Sequence, residues 1–154
     1  MLAVSSYLKS SRVDVNNFNF ASVPMIDLLV VKVSNGHRYP HVITVYPPPA
    51  PRTSAKDVEI FLELLGAYCV TLIGDIMNLG NFNIPAYVDY SVLNHINDGK
   101  TGALVNFLKL TDLIQFNDVP NDNSRFLDLV MSNNKCDLVR AKYLLLPEDR
   151  HHPS

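Results

Sequence analysis

Cysteine is scarce in this sequence. The chain of 154 residues holds only Cys69 and Cys136. They are too few and too scattered for a disulfide framework or a zinc site, so free thiols in a reducing compartment are expected. Long apolar runs are lacking too: none approaches the ~18 residues of a membrane span, and the N-terminus has no signal-peptide core. We therefore expect an intracellular protein, cytoplasmic or nuclear, with no membrane partner.

A strong charge of one sign is also lacking. The net charge is −2, and charged residues make up 18% of the chain. No global positive field attracts the chain to nucleic acid, so any contact with DNA must be local. The apolar fraction of 47% is ordinary for a globular protein. We expect a single domain over residues 1–154, without internal repeats.

The N-terminal half alternates between strand-like segments and one helix. Asn35-Gly36 is a hairpin-turn dipeptide between two of the strands. Ser54 and Asp57 form a capping-box pattern ahead of an apolar stripe at helical spacing, and Gly66 fits the helix end. The order of strand, strand, helix and strand favours a layered α/β fold. The predicted strands are Leu2–Leu8, Ile26–Val33, His41–Tyr46 and Val70–Ile73, with a loop or weak edge strand over Ser10–Ser22.

The C-terminal half continues this alternation after a polar, turn-rich segment. Apolar periodicity predicts one further helix and short strands. The predicted elements are a helix over Thr101–Leu110, strands over Leu113–Phe116 and Arg125–Ser132, and an apolar run over Ala141–Leu146.

The first candidate for chemistry is a polar pair beside a predicted strand. Asp75 follows Val70–Ile73 and Gly74, and the carboxyl ends of strands are where open α/β sheets bind ligands. Asn83 lies eight residues further on. A carboxylate for a divalent ion or water and an amide for a phosphate oxygen suit a phosphoesterase. The plain alternative is that Asp75 is a turn residue.

Two further polar sites lie beside apolar segments. Asp128 falls inside the strand predicted over Arg125–Ser132, where a solvent-facing side chain is the plain alternative. Asp149 lies close to His151 and His152 near the C-terminus, where a frayed tail is the plain alternative.

Four segments together carry a resemblance to a known family. They are Val45–Pro49, like a Tyr-x-Pro strand end; Leu72–Tyr87, like an interrupted Gly-Asp-Phe-Asn motif; Asn123–Val130, like a Ser-Arg-x-Asp strand; and Leu146–Pro153, like a terminal Ser-Asp-His. In this order the segments resemble the endonuclease domain of non-LTR retrotransposon reverse transcriptases. That domain is an apurinic-endonuclease-like member of the endonuclease/exonuclease/phosphatase superfamily.

The resemblance implies a fold and an activity. The fold would be a partial α/β sandwich of the superfamily type, with N-terminal strands and the last strand missing, and exposed sheet edges in their place. The activity would be Mg²⁺- or Mn²⁺-dependent hydrolysis of phosphodiesters, nicking target DNA, with a reverse transcriptase domain in cis. A small-molecule or inositol-lipid phosphatase of the same superfamily is a less favoured alternative.

The resemblance also implies roles for particular residues. Asp75 would activate or orient the attacking water, and Asn83 would orient that water or the phosphate. His152 would contact the phosphate, while Asp128 would accept the other N–H of its imidazole. These roles depend on positioning. Tyr46 would also lie at the phosphate, and Asp149 would be a weak metal ligand.

The spacing of the second motif departs from the family. There Asp and Asn are two residues apart, whereas Gly80-Asn81-Phe82-Asn83 keeps that spacing with an amide in place of the carboxylate. An amide cannot take a proton from water, and a strong predicted strand leads into Asp75, so Asp75 is preferred. The choices of Asn83 over Asn78 or Asn81, and of His152 over His151, stay open.

The metal ligand of the family has no match in this sequence. The resemblance places an Asn and the metal-binding Glu on strands before Met1, while Glu59 and Glu63 fit a solvated helix face better. We therefore expect a truncated endonuclease domain with impaired activity. The alternative is a non-catalytic remnant that acts as a nucleic-acid or protein interaction module.

Overall fold

Six strands, two α-helices and one 3₁₀ turn make up the described part of the chain in a computed structural model, residues 8–34, 39–49, 51–84, 99–120 and 126–138. The predicted α/β class is confirmed. The strands are β1 (Lys9–Arg12), β2 (Asp27–Ser34), β3 (His41–Tyr46), β4 (Ile76–Asn81), β5 (Ile114–Gln115) and β6 (Asp128–Ser132), and the helices are α1 (Ala55–Cys69) and α2 (Gly99–Thr111).

The strands form one mixed sheet in the order β1-β2-β3-β4-β6-β5. β3 and β4 are parallel, and every other neighbouring pair is antiparallel. Because parallel neighbours cannot be joined by a hairpin, the chain crosses between β3 and β4 through α1. The carboxyl ends of β3 and β4 therefore lie at the same edge of the sheet.

One face of the sheet packs against both helices. Val30, Ile43 and Met131 are at most 2% exposed and share an apolar cluster with Phe61 of α1 and Leu104 of α2. Burying each large apolar side chain contributes about 1.5–3 kcal/mol, so this alternation fixes which face each strand turns inward. The residues of the other face are only half-buried in the central strands: Leu29, Val31, Val42, Thr44, Met77, Leu79 and Val130.

Helix α1 begins as predicted and ends later. Ser54 Oγ accepts a hydrogen bond from the Asp57 N–H at 3.1 Å, and the Asp57 carboxylate accepts one from the Ser54 N–H at 2.9 Å. Hydrogen bonds from the Ser54 hydroxyl and backbone lower the pKa of Asp57. Gly66 lies inside the helix and faces α2, where a Cβ would lie 2.9 Å from Leu110 Cδ2.

The strand predicted over Val70–Ile73 is wrong. The Val70 N–H donates to Gly66 O at 3.1 Å, and the Leu72 N–H donates to Cys69 O at 3.0 Å. These bonds close the C-terminal turn of α1, and Ile73 is 91% exposed. The strand in this region is β4, which begins at Ile76. A short apolar run fits a helix end as well as a buried strand, and here the turn that ends α1 occupies it.

Several predictions fall outside the described residues. They include most of Leu2–Leu8, the Asn35-Gly36 turn and the apolar run Ala141–Leu146. Within the described ranges, neither α-helix is both long enough and apolar enough to cross a membrane.

Candidate functional site

Polar side chains from three neighbouring strands form a row at one end of the sheet. Val45 of β3 pairs with Gly80 of β4, so the next residues, Tyr46 and Asn81, lie side by side. Asn81 in turn pairs with Asp128 of β6. Because residues at paired positions share a face, Tyr46, Asn81 and Asp128 project from the half-buried face of the sheet. We call these three residues the polar row.

Gly80 allows the polar row to form. A Cβ on Gly80 would overlap the backbone carbonyl oxygen of Val45 in the neighbouring strand. Only glycine lets β4 approach β3 this closely without a shift of one backbone against the other. The sequence shows Gly80 only as part of a motif, because this packing role depends on the register of the two strands.

Asn83 ties together the ends of the two parallel strands. Its backbone has a φ of 49°, in the left-handed region, and its N–H donates to Asn81 Oδ1 at 3.0 Å. Its side-chain Nδ2 donates to the carbonyl oxygen of Pro47 at 2.8 Å, directly after Tyr46. Asparagine is among the few residues that adopt this conformation readily. Asn83 therefore lies beside the polar row and braces it.

Asp75 lies at the opposite end of the sheet, which corrects its predicted placement. It precedes β4 rather than following a strand, and the six residues from Asp75 to Asn81 span roughly 20 Å of extended chain. Its carbonyl oxygen accepts from the His41 N–H at 2.8 Å, and its Oδ1 accepts from Asn134 Nδ2 at 3.3 Å. Asp75 therefore does not contact Asn83 or Asp128. Its hydrogen bonds are with residues at the end of the sheet where β4 begins.

The Asn78 side chain points to the face of the sheet opposite the polar row. It pairs with Ile43 and Met131 on the helix-covered face, and it is fully buried. Neither its Oδ1 nor its Nδ2 has a hydrogen-bond partner. Of the two alternatives to Asn83 considered from the sequence, Asn81 lies in the row and Asn78 lies in the core.

The remaining predicted residues divide into two groups. Asp149, His151 and His152 fall outside the described residues, so their roles stay predictions. Glu59 and Glu63 lie on α1, where Glu59 pairs with Lys56 at 3.2 Å and Glu63 is exposed. Neither glutamate is part of the polar row.

The polar row does not by itself fit a magnesium ion. Asp128 is its single carboxylate, the lower limit of the one or two that usually hold Mg²⁺ in proteins, and the remaining protein-independent ligands, substrate phosphates, come only with the substrate. Across the described ranges, no group of three or more His, Cys, Asp or Glu residues is placed to hold a metal. The row and the neighbouring Asn83 offer an exposed phenol and two amides that can donate to a phosphate, and a carboxylate that can accept from an imidazole.

No protein-family model matches the chain, and a search of curated proteins finds no match.

Proposed function

We propose that this chain comes from a Mg²⁺-dependent DNA endonuclease of the type found in non-LTR retrotransposons, with the superfamily's α/β sandwich as its fold. One observation supports this most: Tyr46, Asn81 and Asp128 come from three separate motifs and align in one row, with Asn83 beside them. In such an element a reverse transcriptase domain would follow in cis. Target DNA would bind at the edge of the sheet where β3 and β4 end.

Each residue of the row has a chemical role under this proposal. The Tyr46 hydroxyl can donate to a phosphate oxygen, and Asn83 Oδ1 can accept from the attacking water while its Nδ2 holds Pro47. Asp128 would hold an imidazole, expected from His152, in the tautomer that contacts the phosphate. Asn81 stands where the family has a carboxylate, in place of the Asp75 assignment made from the sequence.

Asn81 also explains why the activity should be weak. An amide cannot accept a proton from water at neutral pH, so the residue best placed to activate the nucleophile lacks the chemistry to do it. It also carries no charge for a cation, and the described donors do not fit Mg²⁺. The metal dependence and the contribution of Asp149 remain expectations from the resemblance.

The test is a gain of function at Asn81. Asn81→Asp restores a carboxylate at the paired position beside Asp128, and we expect it to raise Mg²⁺-dependent nicking of supercoiled plasmid by about 10²-fold or more over the unmodified chain. Adding Asp128→Asn should remove that gain, whereas adding Asp75→Asn should leave it intact. Nicking by Asn81→Asp no faster than by the unmodified chain, at equal folded fraction, would contradict the catalytic proposal.

A second candidate is favoured by the same asparagine. A chain with an amide at the nucleophile-activating position can keep the surface of a nuclease without its chemistry, and so act as a nucleic-acid or protein interaction module. Equal and negligible nicking by both chains, together with binding of a short DNA duplex that Tyr46→Ala weakens, would support this alternative.

A further inference from the structure

Strand β6 is longer than the neighbour on its outer side. β5 has only two residues, which pair with Ser132 and Met131. β6 continues from there to Asp128, where it enters the polar row. Without further partners, the outward-facing backbone groups between Asp128 and Val130 would be left unpaired, at a cost of about 1–3 kcal/mol for each buried group.

The Gln115 side chain makes some of the hydrogen bonds that a longer β5 would make with β6. Its Oε1 accepts from the Val130 N–H at 3.2 Å and from the Asn117 N–H at 2.6 Å, and its Nε2 donates to Asn117 O at 2.6 Å. The Phe116 N–H donates to Val130 O at 2.7 Å. The Gln115 amide therefore holds the segment after β5 against β6 where regular strand pairing has ended.

Asn117 completes the edge at the site itself. Its Nδ2 donates to the carbonyl oxygen of Asp128 at 2.6 Å, and its Oδ1 accepts from the Val119 N–H at 3.0 Å. Asp128 is thus held from both sides. β4 pairs with it through Asn81, and Asn117 bonds its outward-facing carbonyl.

We propose that Gln115 and Asn117 are positioning residues that fix Asp128 within the polar row. This inference depends on the proposed function, because it assigns the two amides to the same site. Asp128 is the first residue of β6, and strand ends fray unless they are tied down. Loss of the Asn117 amide removes this hydrogen bond from the outer side of the Asp128 backbone, and a displacement of about 1 Å at a reacting centre can cost about 10²-fold in rate.

A matched control exists at the other end of β6. Asn133 also donates through Nδ2 to a backbone carbonyl, that of Gly74 at 2.9 Å, and accepts through Oδ1 from a backbone N–H, that of Ile76 at 2.8 Å. Replacing either asparagine by Asp removes the same donor, and replacing either by Leu removes donor and acceptor without adding charge. The two positions differ in their distance from Asp128 and in burial, since Asn117 is half-buried and Asn133 is exposed, so the stability of each variant is measured beside its kinetics.

The kinetic experiment places these variants in the Asn81→Asp background. Asn117→Asp and Asn117→Leu should lower kcat for plasmid nicking by about 10- to 100-fold, with KM within about 2-fold, because ground-state binding of DNA is unaffected. Asn133→Asp and Asn133→Leu should leave kcat within about 2-fold at a comparable loss of stability. Equal effects on kcat at both positions would mean general destabilisation and would overturn the inference.

A second readout separates this inference from the proposed function. The Phe82 N–H donates to Leu127 O at 2.8 Å, beside Asp128, so its hydrogen exchange reports local opening. Asn117→Leu in the otherwise unmodified chain should speed that exchange by about 10-fold relative to Asn133→Leu. If Asn81→Asp does not nick DNA but this difference appears, the proposed function fails and the positioning of Asp128 stands. If exchange at Phe82 is the same in both, the positioning inference fails.

Discussion

Asn78 places an amide where the sheet needs an apolar side chain. It is fully buried on the helix-covered face, between Ile43 and Met131, and neither polar atom of its side chain is hydrogen-bonded. A buried amide without partners costs free energy because it gives up its bonds to water and gains none in return. This position therefore weakens the strand that also carries Asn81.

Asn78→Val should stabilise the protein. The substitution removes the unpaired amide and adds a β-branched residue that suits a central strand, so we expect a gain of about 1–3 kcal/mol in the free energy of unfolding. Urea denaturation followed by circular dichroism measures it. Asn106→Ala, on an exposed position of α2, serves as the control and should change stability by less than about 0.5 kcal/mol. A loss of stability at Asn78→Val would show that the amide has a partner, such as a buried water.

The parallel pairing of β3 and β4 depends on one residue without a side chain. Gly80 faces the Val45 carbonyl so closely that a Cβ would overlap it, and a backbone oxygen cannot move aside as a flexible side chain can. The same pairing sets Tyr46 beside Asn81. A change at Gly80 therefore affects the sheet and the polar row together.

Gly80→Ala should destabilise the fold by more than the ~1–3 kcal/mol typical of overpacking, because the clash is with backbone. Thermal and urea unfolding measure the loss. Gly99→Ala is the comparison: there, at the first residue of α2, a Cβ would meet only the flexible end of the Glu59 side chain, so a much smaller change is expected. Similar stabilities for the two variants would rule out the close approach of β3 and β4.

Local sequence signals predicted most elements but not their register. β2, β3, α2 and the start of α1 follow from apolar periodicity, turn residues and a capping box, all of which act over a few residues. Val70–Ile73 was misassigned because its composition fits both a strand and a helix end. The pairing of Asn81 with Asp128 joins residues 47 positions apart by number, so it depends on long-range packing. The sequence favours Asp75 over Asn81 because an amide cannot take a proton from water and a strong predicted strand leads into Asp75; the pairing that puts Asn81 beside Asp128 leaves no local signal.

At the scale of the whole molecule, His41 links stability to pH. The side chain is buried and its Nδ1 has no hydrogen-bond partner. Burial, and secondarily the positive charge of Lys32 in the neighbouring strand, lower the pKa of His41. The unfolded chain therefore takes up a proton near the ordinary pKa of about 6.5, whereas the folded chain resists protonation until the pH is lower.

Stability should accordingly fall as the pH drops below about 6.5 and level off below the folded-state pKa. Urea unfolding at about pH 7.5, 6.5 and 5.5 tests this. His41→Gln should flatten the part of the response that His41 causes, and Lys32→Gln should reduce it, because the cation contributes to the lowered pKa. The chain has five histidines, so the comparison is between variants and not with an absolute slope. An unchanged slope in His41→Gln would contradict the assignment.

The bond from Asn83 to the carbonyl of Pro47 makes a predicted site residue part of the fold's own hydrogen bonding. Pro47 is buried, and the backbone of Asn83 is left-handed. Replacing Asn83 would leave the Pro47 carbonyl without this hydrogen bond and would strain the left-handed turn. The fold therefore depends on this asparagine for its own stability, independently of any activity on DNA.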